Sequence, residues 1–126
     1  MISTTELGHV AEGLALARLE REGLELLARN YRCKAGEIDL VMLDPATRVL
    51  VLVEVRSRSR ADFGGAAATI GSAKQRRFSL AARHLLLCRR ELRTLRVRFD
   101  VVAIDPPAVP GAAPVVTWIR SAFALV

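Results

Sequence analysis

The sequence has few of the residues that build disulfide frameworks and metal clusters. Its 126 residues include two cysteines and two histidines. Cys33 and Cys88 form neither a disulfide framework nor a paired metal-binding spacing, so we expect a reduced, cytoplasmic chain. The first residues lead into a mixed, charged segment, which predicts that there is no signal peptide. Because the longest apolar runs are only as long as a strand, we expect no membrane span.

Lysine is also rare, and the positive charge comes almost entirely from arginine. The net charge is +6 and the pI about 10.6, and only Lys34 and Lys74 are lysines among the 19 basic residues. This excess predicts an anionic partner, most commonly nucleic acid. Two alternatives stay open, since arginine content can follow genome base composition and many small basic proteins bind nothing specific. With 52% hydrophobic residues and no linker, residues 1–126 are expected to form one domain.

The first element that the pattern predicts is a helix. It runs from a capping box that begins at Ser3 to a C-terminal glycine, Gly23. Its predicted apolar face consists of Leu7, Val10, Leu14, Leu16, Ala17 and Leu24. Glu12 falls within this face, and spacing alone predicts an ordinary boundary acid that pairs with Arg18 or Arg21.

Three strands follow, each rich in β-branched and aliphatic side chains. They cover residues 24–33, 36–44 and 48–57. A second long helix is predicted from an N-cap at Ser72 to about residue 91, followed by a strand over 94–105 and a short edge strand over 115–119. A strand–helix–strand succession is typical of a right-handed parallel crossover. The order α-β-β-β-α-β therefore predicts an α/β fold with a mixed central sheet flanked by helices.

Two acids interrupt the apolar runs of the second and third strands. If residues 46 and 47 form a two-residue loop, Asp39 lies directly opposite Glu54, and Arg56 lies on the same face as Glu54. Opposed carboxylates repel each other, and a buried charge needs a partner. A divalent cation between them would turn the repulsion into ligation. The prediction depends on the register, because a slip of one residue would send one acid to the other face.

Two basic segments follow this hairpin. Arg58 and Arg60 lie in a glycine-containing loop after the third strand, and Lys74, Arg76 and Arg77 crowd the first turn of the second helix. Cations are unfavourable at a helix N-terminus, so their presence there favours binding of an anion such as a nucleic-acid phosphate. A solvated surface is the alternative for both segments.

The order of elements, with Asp39 followed fifteen residues later by Glu54, Val55 and Arg56, resembles the PD-(D/E)xK nuclease superfamily. More narrowly, the chain is similar to the YraN-like family, uncharacterised protein family 0102, which is related to Holliday junction resolvases. The resemblance covers roughly residues 5–123, and it is carried by residues 36–40, 53–56, 63–64, 74–77 and 98–102. It implies a single domain with a restriction-endonuclease-like core.

The resemblance also implies metal-dependent hydrolysis of phosphodiester bonds. Asp39, Glu54 and the backbone carbonyl of Val55 would bind Mg²⁺ (or Mn²⁺), and Glu12 from the first helix would complete the ligand set. Gln75 matches the position of a polar helix residue that orients water or a ligand. The implied function is that of a structure-selective DNA endonuclease acting on branched or structured DNA, and analogy with junction resolvases implies a homodimer.

The superfamily motif ends in lysine, whereas this chain has Arg56 at that position. Arginine can orient water and stabilise the charge of a transition state, but it stays protonated and is a poor general base. Two alternatives therefore stay open: a non-catalytic nucleic-acid-binding protein with a degenerate nuclease site, and an interaction module in DNA maintenance. Outside the motif, Asp100 is predicted to be a structural acid held by Arg98 or by a helix end, and Trp118 to cap the core.

Overall fold

The computed structural model describes residues 4–57 and 70–124. The helices are α1 (Thr4–Arg21) and α2 (Ser72–Cys88), and a short 3₁₀ helix (Arg90–Thr94) follows α2. The strands are β1 (Glu25–Cys33), β2 (Gly36–Asp44), β3 (Val49–Ser57), β4 (Arg96–Asp105) and β5 (Val115–Phe123). No helix in these two ranges is long and apolar enough to cross a membrane. The predicted capping box at Ser3 lies outside the described residues.

The five strands form one mixed sheet in the order β1-β2-β3-β4-β5. β3 and β4 are parallel, as the crossover through α2 predicts, and the other neighbouring strands are antiparallel. The two long helices cover opposite faces of this sheet. The predicted α/β class, a mixed central sheet flanked by helices, is confirmed.

Strand β3 is the centre of the core, and its first six residues are all buried. Val51 and Val53 belong to the apolar cluster that includes α1, whereas Leu50 and Leu52 belong to the cluster that includes α2. Side chains alternate between the two faces of a strand, so a strand covered on both faces is apolar almost throughout. Glu54 continues this buried strand, which makes its charge the exception that requires an explanation.

The register between β2 and β3 decides where the two motif acids lie. The paired residues end with Leu40 opposite Val53, which is the predicted register. Asp39 and Glu54 are the next residues along the two strands. The hairpin therefore brings both acids to the same end of the sheet.

The buried face of α1 differs from the predicted one. Ala11, Ala15 and Leu19 are buried at intervals of four residues, whereas Val10 is 56% exposed and Ala17 is also exposed. Apolar residues occur nearly all round this helix, so hydrophobic spacing alone does not select one face. The two small alanine side chains allow the helix to pack closely on the sheet.

Several element ends also differ from the prediction. α2 ends at Cys88, because the chain continues as a 3₁₀ helix, and its N-cap is Gly71 without a side-chain cap, so that Ser72 is the first helical residue. β3 begins one residue later than predicted, because Arg48 lies in the turn with a φ of 57°. β5 continues to Phe123, well beyond the predicted end at residue 119.

Gly36, at the start of β2, lets the backbone of α2 approach the sheet. A Cβ atom at this position would lie 2.9 Å from the carbonyl oxygen of Arg77, which is closer than real Cβ atoms come. The first two turns of α2 are therefore held against the end of the sheet where Asp39 and Glu54 lie.

Candidate functional site

Glu54 is a buried acid near the end of β3, with a side chain that is only 7% exposed. Its charge is balanced by Lys74 of α2, whose Nζ atom lies 2.6 Å from Glu54 Oε1. A carboxylate at this depth requires such a partner, because the loss of hydration disfavours an unpaired charge. The lysine side chain is 40% exposed, so the ion pair connects a buried carboxylate with solvent.

Asp39 lies beside Glu54, as the hairpin register predicts. Its Oδ2 atom accepts a hydrogen bond from the backbone N–H of Val55 at 2.8 Å, and its carboxyl group is in hydrogen-bonding contact with Glu54. Burial, followed by the negative charge of Glu54, raises the pKa of Asp39 to about 7, although the Val55 N–H opposes this shift. The two acids therefore form a site with an excess of negative charge.

Glu12 of α1 is a third acid near this pair, and its charge contributes to the raised pKa of Asp39. Its side chain is 12% exposed and lies 3.7 Å from Arg29 Nη2. The side-chain amide of Asn30 donates a hydrogen bond to Glu12 Oε1 at 3.1 Å. Glu12 is thus held in place by two side chains of β1.

The predicted pairing of Glu12 with Arg18 or Arg21 is wrong. Arg18 Nε instead lies 3.6 Å from Oε1 of Glu22, the first residue after α1. The physical reason is the path of β1 beside the helix: Asn30 adopts a φ of 52°, and its side chain and that of Arg29 reach Glu12 from the strand.

The chemistry of Asp39 and Glu54 suits a hard divalent cation. Mg²⁺ prefers oxygen ligands, commonly binds through one or two carboxylates, and keeps several waters. The raised pKa of Asp39 shows that negative charge is unfavourable here, and a cation would relieve it. Within residues 4–57 and 70–124, no three histidine, cysteine, aspartate or glutamate side chains converge closely enough to hold a metal ion. Glu12 is accordingly not joined to the other two acids as a third ligand.

The other predicted catalytic residues have different surroundings. Arg56 is half-buried near the end of β3. Gln75 donates a hydrogen bond from Nε2 to the carbonyl oxygen of Ile70 at 3.0 Å, so its amide secures the chain before α2. Val55 orients Asp39 through its N–H group, whereas the prediction concerned its carbonyl oxygen.

The predicted nucleic-acid-binding residues fall into three groups. Arg58 and Arg60 lie outside the described residues. Arg76 and Arg77 are exposed near the start of α2, where a phosphate could reach them. Lys74 is predicted to act with them, and its ammonium contacts the buried carboxylate of Glu54. Lys74 and Arg77 together border a cavity of about 160 Å³ between α2 and the start of β2.

A second buried acid, Asp100 of β4, has a structural environment. It is fully buried and accepts hydrogen bonds from Arg98 Nε at 3.0 Å, from the indole N–H of Trp118 at 2.8 Å and from the backbone N–H of Ser121 at 2.9 Å. The predicted role of Asp100 as an acid held by Arg98 is confirmed. Trp118 is partly buried and packs against the apolar cluster that includes α1, as predicted, and its hydrogen bond to Asp100 joins β5 to β4. The guanidinium of Arg120 lies 3.7 Å from its ring centre.

The model of the family described as Uncharacterised protein family UPF0102 matches residues 11–104. The chain belongs to this family. A UPF0102 protein of Cupriavidus taiwanensis is 53% identical over 116 residues, which are 92% of this chain and 81% of the relative. A UPF0102 protein of Saccharophagus degradans is 46% identical over 125 residues, which are 99% of this chain and 98% of the relative.

Among solved structures, this UPF0102 chain is similar to Pyrococcus furiosus SfsA in complex with Ca²⁺. The TM-score is 0.39 at 11% sequence identity, over 95% of this chain and 64% of the other.

Sequence reasoning about this UPF0102 chain found the two acids but missed the cation that pairs with Glu54. Lys74 is one of two lysines, and Lys34 is exposed in the turn after β1, where it borders a separate cavity. A buried acid near the end of a strand signals that a cation must lie nearby, but not which one. The contact between Asn30 and Glu12 was also missed. The sequence signal for it was a polar residue, Asn30, in the middle of a predicted strand.

Proposed function

We propose that this UPF0102 protein is a divalent-cation-dependent, structure-selective DNA endonuclease that hydrolyses phosphodiester bonds in branched DNA. The observation that carries the proposal is the contact between the carboxyl groups of Asp39 and Glu54 beside the cationic first turn of α2. Like charges held together in a partly buried site cost stability, and strongly perturbed groups of this kind cluster at functional sites. The choice of branched DNA rests on the resemblance to junction resolvases.

The residues of the site have separable roles in this reaction. When bound, Mg²⁺ lowers the pKa of a water and neutralises charge that builds up on the phosphate. Asp39 and Glu54 would hold the cation, and the hydrogen bond from the Val55 N–H fixes the carboxyl group of Asp39. Arg56, which stays protonated, stabilises negative charge on the phosphate. In the net reaction water adds to phosphorus, the bond to the leaving sugar oxygen breaks, and that oxygen takes a proton.

The exposed cations at the start of α2 provide the contact with the DNA backbone. Arg76 and Arg77 are both exposed, and Arg77 lies at the cavity next to the site. Contacts of this kind add affinity without sequence preference and weaken as salt displaces them. Binding is therefore expected to be sensitive to salt and indifferent to sequence.

The test is cleavage of labelled four-way junction, flap, duplex and single-stranded DNA in Mg²⁺ or Mn²⁺. Wild-type protein is expected to cut at least one branched substrate. Glu54→Gln, which keeps the size of the side chain and removes its charge, is expected to lower the rate at least about 1,000-fold. Glu91→Gln is the matched control, because Glu91 is an exposed acid of the 3₁₀ helix and forms an ion pair with Arg89. No cutting by wild type in either metal, or equal cutting by Glu54→Gln, would contradict the proposal.

A non-catalytic DNA-binding protein is the second candidate. It is favoured by the ion pair in which Lys74 already neutralises Glu54, together with arginine at the motif position of lysine. It predicts salt-sensitive binding of DNA that survives Glu54→Gln, with no cleavage in any divalent metal.

A further inference from the structure

One ammonium group contacts a buried carboxylate and belongs to a residue that borders an open cavity. Lys74 Nζ lies 2.6 Å from Glu54 Oε1, although 40% of the lysine side chain is exposed. The same side chain borders the cavity of about 160 Å³ that Arg77 also lines. Lys74 can therefore exchange one partner for the other by turning its flexible stem, without crossing the core.

A divalent cation and this ammonium compete for the same carboxylate. Two positive groups on Glu54 repel each other, and the doubly charged ion has the stronger attraction to the Asp39–Glu54 pair. Once displaced, the ammonium lies beside the cavity, which Glu37 also lines. The Glu37 carboxylate is 57% exposed and already lies 3.3 Å from Arg32 Nε, so a further anion can still bind the ammonium. If DNA is bound, that anion is a phosphate oxygen.

We propose that Lys74 is a positioning residue that holds Glu54 in the cation-free protein, yields Glu54 to a divalent cation, and then binds the phosphate at the cavity. The phosphate step rests on the proposed function. The exchange of ammonium for a divalent cation on Glu54 rests only on the geometry of the ion pair, so the two steps are tested separately.

The exchange is tested by titrating Mn²⁺ into DNA-free protein at pH 8 in a calorimeter. Lys74→Met removes the competing ammonium and is expected to bind Mn²⁺ about three- to ten-fold more tightly than wild type. Lys34→Met, which makes the same substitution at the exposed lysine after β1, is expected to stay within about two-fold of wild type. Equal or weaker binding by Lys74→Met would overturn the exchange, as would the absence of Mn²⁺ binding by wild type.

The phosphate step is tested by removing and then restoring the ammonium. Lys74→Cys is expected to lower the cleavage rate about 100-fold. Treatment with 2-bromoethylamine, in which the thiolate sulfur displaces bromide, rebuilds a lysine-like ammonium and is expected to restore the rate at least about ten-fold. Wild type treated in the same way controls for alkylation of Cys33 and Cys88. If Lys74 contributed only packing, the new charge would not restore the cleavage rate.

The outcomes separate this inference from the proposed function. If wild type cuts DNA and untreated Lys74→Cys cuts within about three-fold of it, the role of Lys74 is wrong while the endonuclease stands. Failure of alkylation to restore the rate of Lys74→Cys would likewise overturn the phosphate step. If wild type itself cuts nothing, the proposed function and the phosphate step both fail, and the Mn²⁺ titration still decides whether the exchange occurs.

Discussion

Replacement of Asp39 by asparagine is expected to raise the free energy of unfolding of the metal-free protein at pH 8 by ~2–4 kcal/mol. The folded protein raises the pKa of this carboxyl group to about 7, first by burial and then by the charge of Glu54. At pH 8 the wild-type carboxylate is charged in an environment that disfavours the charge. Asparagine removes the charge, and its side-chain oxygen can still accept the hydrogen bond from the Val55 N–H.

The gain in stability from Asp39→Asn depends on pH, and its direction follows from the raised pKa of Asp39. Below about pH 4 both the folded and the unfolded carboxyl group hold a proton, so Asp39→Asn brings no electrostatic gain. Between about pH 4 and 7 the unfolded group ionises first, and the stability of wild type falls relative to that of the variant. Above pH 7 the folded group is ionised too, and the difference becomes constant.

Urea unfolding in the presence of a chelator at pH 4, 6 and 8 measures this difference. Asp44→Asn is the matched control, because Asp44 is the last residue of β2 before the turn, where asparagine can also accept the hydrogen bond from Ala46 N–H. Its stability is expected to follow wild type within about 0.5 kcal/mol at each pH. If Asp39→Asn is no more stable than wild type at pH 8, burial and the charge of Glu54 do not disfavour the ionised form of Asp39.

Removal of the buried carboxylate of Asp100 is expected to have a similarly large effect of the opposite sign. Asp100→Ala should lower the free energy of unfolding by ~3–5 kcal/mol, because it leaves a partly buried guanidinium and two N–H donors without their acceptor. Those donors are Arg98, Trp118 and the backbone of Ser121. The loss should release β5, which has β4 as its one neighbour in the sheet.

Urea unfolding of Asp100→Ala, Trp118→Phe and the double variant measures this network. Trp118→Phe keeps an aromatic ring and removes only the indole N–H donor, so its expected cost is ~1–2 kcal/mol. The double variant should cost less than the sum of the two single ones, since both changes break the same hydrogen bond. Additive costs, or a cost below about 1 kcal/mol for Asp100→Ala, would contradict the assigned role.

The parts of the fold that sequence predicted well are those that a local pattern determines. β2, β3 and β4 are long runs of aliphatic and β-branched residues, and their ends agree with the prediction to within two residues. The hairpin register was also predicted, because the turn after Asp44 leaves few ways to pair two such strands. That register alone placed Asp39 beside Glu54.

The parts that sequence missed depend on how distant elements pack. Nothing local distinguishes the buried row of Ala11 and Ala15 from the other apolar positions of α1, since only the position of the sheet selects a face. The contact between Lys74 and Glu54 depends on how closely α2 approaches β2, which is set by the missing side chain of Gly36. The sequence pattern alone specifies neither the face of α1 that packs on the sheet nor the distance between α2 and β2.

The central claim is that Asp39 and Glu54 form a binding site for a divalent cation, and a calorimetric titration of Mn²⁺ at pH 8 tests it most directly. Wild type is expected to bind Mn²⁺, and Asp39→Asn and Glu54→Gln are each expected to weaken binding at least about ten-fold. The loss in Asp39→Asn should occur although that variant is the more stable protein, which separates binding from folding. Binding that is equal in all three proteins, or absent from wild type, would contradict the claim.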